Sequence, residues 1–118
     1  MEVAILEKSA SLALAMTYFL VQGGIRVYHF FSISRLEEIL SKTFGGWNKL
    51  RCLIVDIDDF PNIHLLPIPK NAKIIVLMDH FENKKEVMNN FHQMDFTDIH
   101  CIEKRLADDI RIITLVKS

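Results

Sequence analysis

A doubly wound α/β fold, with a parallel five-stranded sheet between two layers of helices, is predicted by three observations. Val3-Ala4-Ile5-Leu6 and Ile74-Ile75-Val76-Leu77-Met78 are continuous apolar runs, as in strands buried on both faces. Helix-like segments separate the strand-like ones, the order of β-α-β units in a parallel sheet. The chain has 118 residues, enough for one domain and too few for two of ordinary size, so a single domain over 1–118 is expected.

Each element has its own signal. Val3 to Leu6 reads as the first strand. Ser9 to Gln22 follows as a helix, with Ser9 as its cap and Gly23-Gly24 as its stop. Ile25 to Phe31, rich in β-branched and aromatic residues, reads as the second strand. Ser34 and Glu37 have capping-box spacing and open a helix whose apolar residues are Leu36, Ile39, Leu40 and Phe44, closed by Gly45-Gly46. Leu53-Ile54-Val55 is the third strand and ends at the acidic cluster Asp56, Asp58 and Asp59. Pro61, Pro67 and Pro69 forbid a long regular helix between Phe60 and Lys73. Ile74 to Met78 is the fourth strand. Asn83 to Met94 is the next helix, with Val87, Met88 and Phe91 on one face, and Asp98 to Glu103 is the fifth strand. A last helix is expected over Leu106 to Val116, with Leu106, Ile110 and Ile113 as its stripe.

Composition excludes several functions. The formal net charge is -1, with both signs scattered, so the chain lacks the clustered basic residues of a nucleic-acid surface. Cys52 and Cys101 each lie in an apolar run and form no C-x-x-C, which predicts two reduced thiols in a cytoplasmic protein. Ser9 to Ile25 carries no charge, but it is short and interrupted by Ser, Thr and Gln, which argues against a membrane span. No Gly-rich phosphate loop and no G-x-S-x-G is present, so nucleotide binding, hydrolase chemistry and enzymatic activity in general have no support.

Parallel α/β sheets carry their sites at the carboxyl ends of the strands. The residues there are Glu7 and Lys8, Asp56 to Asp59, Met78 to His80, and Lys104. This pattern resembles the receiver domain of bacterial response regulators, over the whole chain. The resemblance implies a flavodoxin-like (CheY-like) sheet of strand order 2-1-3-4-5. It also implies that Asp56, in Leu53-Ile54-Val55-Asp56, matches a phosphate acceptor and that Lys104 matches the lysine that meets the phosphoryl group. In the family an acidic pair after the first strand joins the acceptor in holding Mg²⁺.

The departures are in the chemistry. Lys8 replaces one acid of the pair, and its ammonium is expected near Asp56, competing with a cation. Met78 stands where the family has a hydroxyl, Cys101 where it has the switch aromatic, and Arg105 where a proline commonly follows the lysine. Pro61 comes one residue late, and the family's third helix is expected to be shortened or replaced by a loop. These losses resemble the atypical (pseudo-)receivers of LuxR-type (FixJ/NarL-class) transcription regulators, in which a DNA-binding helix-turn-helix follows. DNA contact is therefore expected only through a domain outside this chain, with no cofactor unless a functional pocket takes Mg²⁺.

Three functions remain open. One is a two-component-type signalling or transcription-regulatory domain that works by dimerisation or protein contact without phosphorylation. The second is a phosphate-accepting receiver with Asp56 as acceptor. The third is a small flavodoxin-like carrier or enzyme. A cation site formed by Asp56, Asp58, Asp59 and Glu7 competes with a solvated acidic loop, and the histidines at 29, 64, 80, 92 and 100 show no metal-ligand spacing. The expected partner surface is the uncharged first helix, through Leu14, Tyr18 and Val21, beside Leu106, Ile110 and Ile113. It would serve a homodimer or a heterodimer with another regulator, with no membrane involved.

Overall fold

The computed structural model describes residues 2–42, 49–79, 84–93 and 96–118. Phe44, Gly45-Gly46, His80, Asn83 and Met94, and the side chains of His64, Phe91 and His92, lie outside the described set. Five strands form one parallel sheet: β1 (Glu2–Leu6), β2 (Arg26–Phe30), β3 (Cys52–Asp56), β4 (Lys73–Met78) and β5 (Asp98–Glu103). Their order is β2-β1-β3-β4-β5, as expected. The helices are α1 (Ala10–Gln22), α2 (Ile33–Lys42), α3 (Lys84–Gln93) and α4 (Arg111–Lys117).

The strand pleat sorts the core into two layers. Leu6, Val55, Val76 and Met78 point to one face, where Leu36 and Leu40 of α2 and Val87 of α3 cover them. Ile5, Ile54, Ile75 and Leu77 point to the other, under Met16 and Leu20 of α1 and Ile112 and Val116 of α4. Each of these fully buried aliphatic side chains contributes about 1.5–3 kcal/mol of burial free energy. β3 and β4 are buried at every position, which is why their sequences run apolar without alternation.

The first helix forms as its sequence directs. Ser9 Oγ accepts from the Leu12 amide at 3.4 Å, and Gly24 adopts φ +79° beyond the helix end. Met16 and Leu20 are buried, and Leu12 and Phe19 pack against the same core. Leu14, Tyr18 and Val21 are left 70, 59 and 56% exposed.

Three expectations are corrected. The cap of α2 is Ser32, not Ser34: Ser32 Oγ accepts from the Arg35 amide at 3.3 Å, so the helix starts before Ser34 and no capping box with Glu37 forms. The last helix begins at Arg111, not Leu106. Lys104–Leu106 is a 3-10 turn, and Asp109 Oδ1 accepts from the Arg111 amide at 2.8 Å, turning the chain before the helix starts. Leu106, Ile110 and Ile113 therefore form no single helical stripe. Leu106 and Ile113 pack against the α1–α4 core, Ile110 is exposed, and the buried residues of α4 are Ile112 and Val116. Between β3 and β4 the chain makes a short 3-10 helix, Phe60–Leu65, with Pro61 in its first turn, where the resemblance to receiver domains implies a shortened or missing third α-helix.

Candidate functional site

The carboxyl ends of β1, β3 and β5 bring three charged side chains together. Glu7 follows β1 and is only 2% exposed. Its Oε1 accepts from the Ser9 amide at 3.1 Å, and His29 Nε2 lies 2.9 Å from its carbonyl oxygen. Asp56 ends β3, with Oδ1 accepting from the Asp58 amide at 2.7 Å. Lys104 follows β5, and its Nζ contacts Asp56 Oδ2 and lies 3.8 Å from Glu7 Oε1.

The charges settle unequally. Burial and the adjacent Asp56 carboxyl push Glu7 up, although the Ser9 amide and Lys104 oppose them. Burial also acts to raise Asp56, but the hydrogen bond from Lys104 and the Asp58 amide outweigh it and hold that carboxyl below its ordinary value. Burial lowers Lys104, yet Asp56, Glu7 and the neighbouring Asp79 together hold it above its ordinary value. Asp56 is thus the ionised member of the pair, and Glu7 is the readier to take a proton.

Lys8 is exposed and does not fill the pocket as expected. Residues leaving a strand point alternately in and out, so Glu7 turns in and Lys8 out. The cation against Asp56 is Lys104, while the charge of Lys8 is felt at Asp59. Asp58 is exposed and serves Asp56 through its amide. Met78 is 1% exposed and turns into the α2–α3 core layer, so it presents nothing to the pocket.

Two participants were placed at strand ends by the sequence without a role that distinguished them from their neighbours. Asp59, inside an acidic run, is buried, and its carboxyl is raised by burial and by Asp56 and Asp58 against the opposing charge of Lys8. Asp79 is the residue that places a negative charge near Lys104 at the end of β4. Of the histidines, His29 on β2 and His100 on β5 occupy opposite edges of the sheet, and His100 pairs with Asp98 at 2.6 Å.

The resemblance to receiver domains implies a divalent cation at this place. Among the described residues, buried Glu7 Oε2 and Asp59 Oδ2 have no hydrogen-bond partner, which favours an added positive charge. Against this, the second acid of the pair is the outward Lys8, and an ammonium already lies on Asp56 Oδ2. Among the described residues no group of three or more His, Cys, Asp or Glu is placed to hold a metal. These residues do not fit the cation.

Cys52 on β3 and Cys101 on β5 are not joined in a disulfide and have β4 between them, and burial pushes the Cys52 thiol up to about 12. Away from the carboxylates, a groove of about 380 Å³ lies between β5 and α4, lined by Cys101, Ile102, Ile110, Arg111, Thr114 and Leu115 among others. Among the described residues, no helix is long and apolar enough to cross a membrane.

No protein-family model matches the sequence, and no curated protein matches it. Solved structures do match. A response regulator from Thermotoga maritima is 16% identical, with a TM-score of 0.64 over 99% of this chain and 98% of that one. A signal receiver domain from Vibrio parahaemolyticus, described as that of a Luxo repressor protein, is 18% identical, with a TM-score of 0.65 over 98% of this chain and 89% of that one. A protein from Burkholderia pseudomallei described as pilus assembly-related is 13% identical, with a TM-score of 0.61 over 99% of this chain and 90% of that one. The fold is that of a receiver domain. At these identities the likeness establishes the receiver fold and leaves the chemistry to the residues themselves.

Proposed function

We propose that this chain is a cytoplasmic signal-transduction regulatory domain of pseudo-receiver type, acting by protein–protein contact and without phosphorylation. The observation that carries this reading is the loss of two groups around Asp56: the second acid is replaced by an outward lysine, and the hydroxyl position is an inward methionine. Its output surface is the apolar stripe Leu14, Tyr18 and Val21 of α1, with the exposed Ile110 ahead of α4, serving a homodimer or a heterodimer with another regulator. Effects on transcription would pass through a DNA-binding domain outside these residues, as in LuxR/FixJ-type regulators.

The experiment is incubation with a small acyl phosphodonor and Mg²⁺, followed by intact-mass measurement. No phosphoryl adduct is expected. A stoichiometric adduct that disappears in Asp56→Asn would replace this reading with that of a phosphate-accepting receiver, for which the ionised Asp56 is the nucleophile.

A further inference from the structure

Lys73 opens β4 and is buried, 7% exposed, at the far end of the sheet from the carboxylate pocket. Lysine is seldom buried without compensation. Here its Nζ donates to the main-chain oxygens of Leu115 at 2.9 Å, Val116 at 3.3 Å and Ser118 at 2.6 Å, with Ser118 Oγ at 3.1 Å. The Leu115 and Val116 oxygens belong to the last turn of α4 and Ser118 is its C-cap, with Ser118 Oγ also donating to the Leu115 oxygen at 2.9 Å; carbonyls there have no amide partner within the helix, and the helix dipole favours a positive charge.

Little else stabilises α4 as a helix. It spans seven residues, its N-cap residue Ile110 offers no side-chain acceptor, so that Asp109 Oδ1 on the Arg111 amide is the side-chain bond described at its start, and Ile112, Ile113, Thr114 and Val116 are β-branched. A helix of this length does not persist on its own in water. Its apolar anchors are buried Ile112 and Val116, and Ile113, which packs closely on Gly23 at the end of α1.

We infer that Lys73 is a latch for the last helix: α4 is a separate opening unit, held closed by one buried ammonium that collects its terminal oxygens. Opening lets water reach Lys73 and those oxygens together, so their hydration offsets part of the lost contacts. The sheet keeps its own ladders, and the cost of opening α4 falls below that of global unfolding. Release would uncover the apolar sheet face that Ile112 and Val116 cover. The inference rests on the contacts of Lys73 and holds whether or not the domain dimerises.

The test is amide hydrogen exchange followed by mass spectrometry on the full chain. In the wild type under mild denaturant, the α4 amides are expected to exchange before those of β1 and β3. In Lys73→Met, α4 exchange should accelerate on the order of ten- to a hundredfold, the effect of losing charge-assisted hydrogen bonds, while β1 and β3 keep their protection. Unchanged α4 exchange in a folded Lys73→Met protein would overturn the latch. If the variant does not fold, the wild-type measurement decides: α4 exchanging together with β1 and β3 in one global step overturns the inference, and earlier exchange of α4 supports it.

Discussion

Lys104 reaches Asp56 across an intervening strand: β4 separates β3 from β5, yet the ammonium lies on Asp56 Oδ2. The contact ties the central strand to the edge strand at the carboxyl end of the sheet. The Lys104 side chain is 27% exposed and that of Asp56 5%, so the pair is largely desolvated. Lys104→Met leaves a buried carboxylate without its cation and is expected to cost about 2–4 kcal/mol, measured by urea unfolding. A loss below about 0.5 kcal/mol would place the pair with surface ion pairs of no consequence.

Acid should act on this pocket in two stages. Glu7 and Asp59 are held above their ordinary values of 4.5 and 3.8, so the folded state binds their protons more tightly than the unfolded chain does. Their contribution to stability grows as pH falls from neutral toward those values. Asp56 is held below 3.8, so its contribution is present above that value and lost as pH falls through its folded value. Lys104, raised above 10.5, contributes fully below that pH and loses its contribution as pH rises through its folded value. Glu7→Gln should therefore stabilise the domain at pH 7 by about 1 kcal/mol, a few degrees in Tm, and change little at pH 4. Thermal melts at the two pH values check this, and equal effects at both would contradict the sign assigned to Glu7.

Magnesium gives a complementary readout. A ligand bound by the native state alone raises Tm with its concentration. Millimolar Mg²⁺ is expected to leave the wild-type Tm unchanged, and Lys8→Asp, at a position that turns away from the pocket, is expected to leave it unchanged as well. A wild-type response that Lys104→Met leaves unaltered would show that the ammonium does not exclude the ion.

The exposed stripe of α1 separates partner contact from core packing. Leu14→Glu and Tyr18→Glu alter side chains that are 70 and 59% exposed, so each should change monomer stability by less than about 0.5 kcal/mol. In sedimentation the wild type should dimerise and these variants should remain monomeric. A wild-type protein that stays monomeric at high concentration would remove self-association from the proposed function.

The turn after α1 tests backbone conformation apart from packing. A Cβ on Gly24 meets nothing within 4 Å, but the residue sits at φ +79°, so Gly24→Ala should cost about 1–2 kcal/mol through strain alone. A Cβ on Gly23 would come within 3.2 Å of Ile113 Cγ2, and Gly23→Ala should instead disturb the α1–α4 contact. Comparing the α4 amide exchange of the two variants distinguishes the causes: Gly23→Ala should speed it and Gly24→Ala should not.

The sequence by itself determined the sheet and the division of α1. Continuous apolar runs mark strands buried on both faces, and helical spacing separates Met16 and Leu20 from Leu14, Tyr18 and Val21, because both patterns report local geometry directly. Asp56 and Lys104 were legible because strand ends converge in a parallel sheet. Helix starts were less so: Ser32 and Ser34 offer the same hydroxyl, and the chain's path into α2 selects Ser32. The turn at Asp109 likewise interrupts a stripe that runs unbroken in one dimension. Tertiary structure alone decided the fate of the charges. Lys73 reads as an ordinary charged residue before an apolar run, and its acceptors lie 42 to 45 residues away. Asp59 is buried and Lys8 exposed although both border the same pocket. Apolar periodicity records which side of an element faces the core, whereas the partner of a long charged side chain is whatever distant segment the fold brings within its reach.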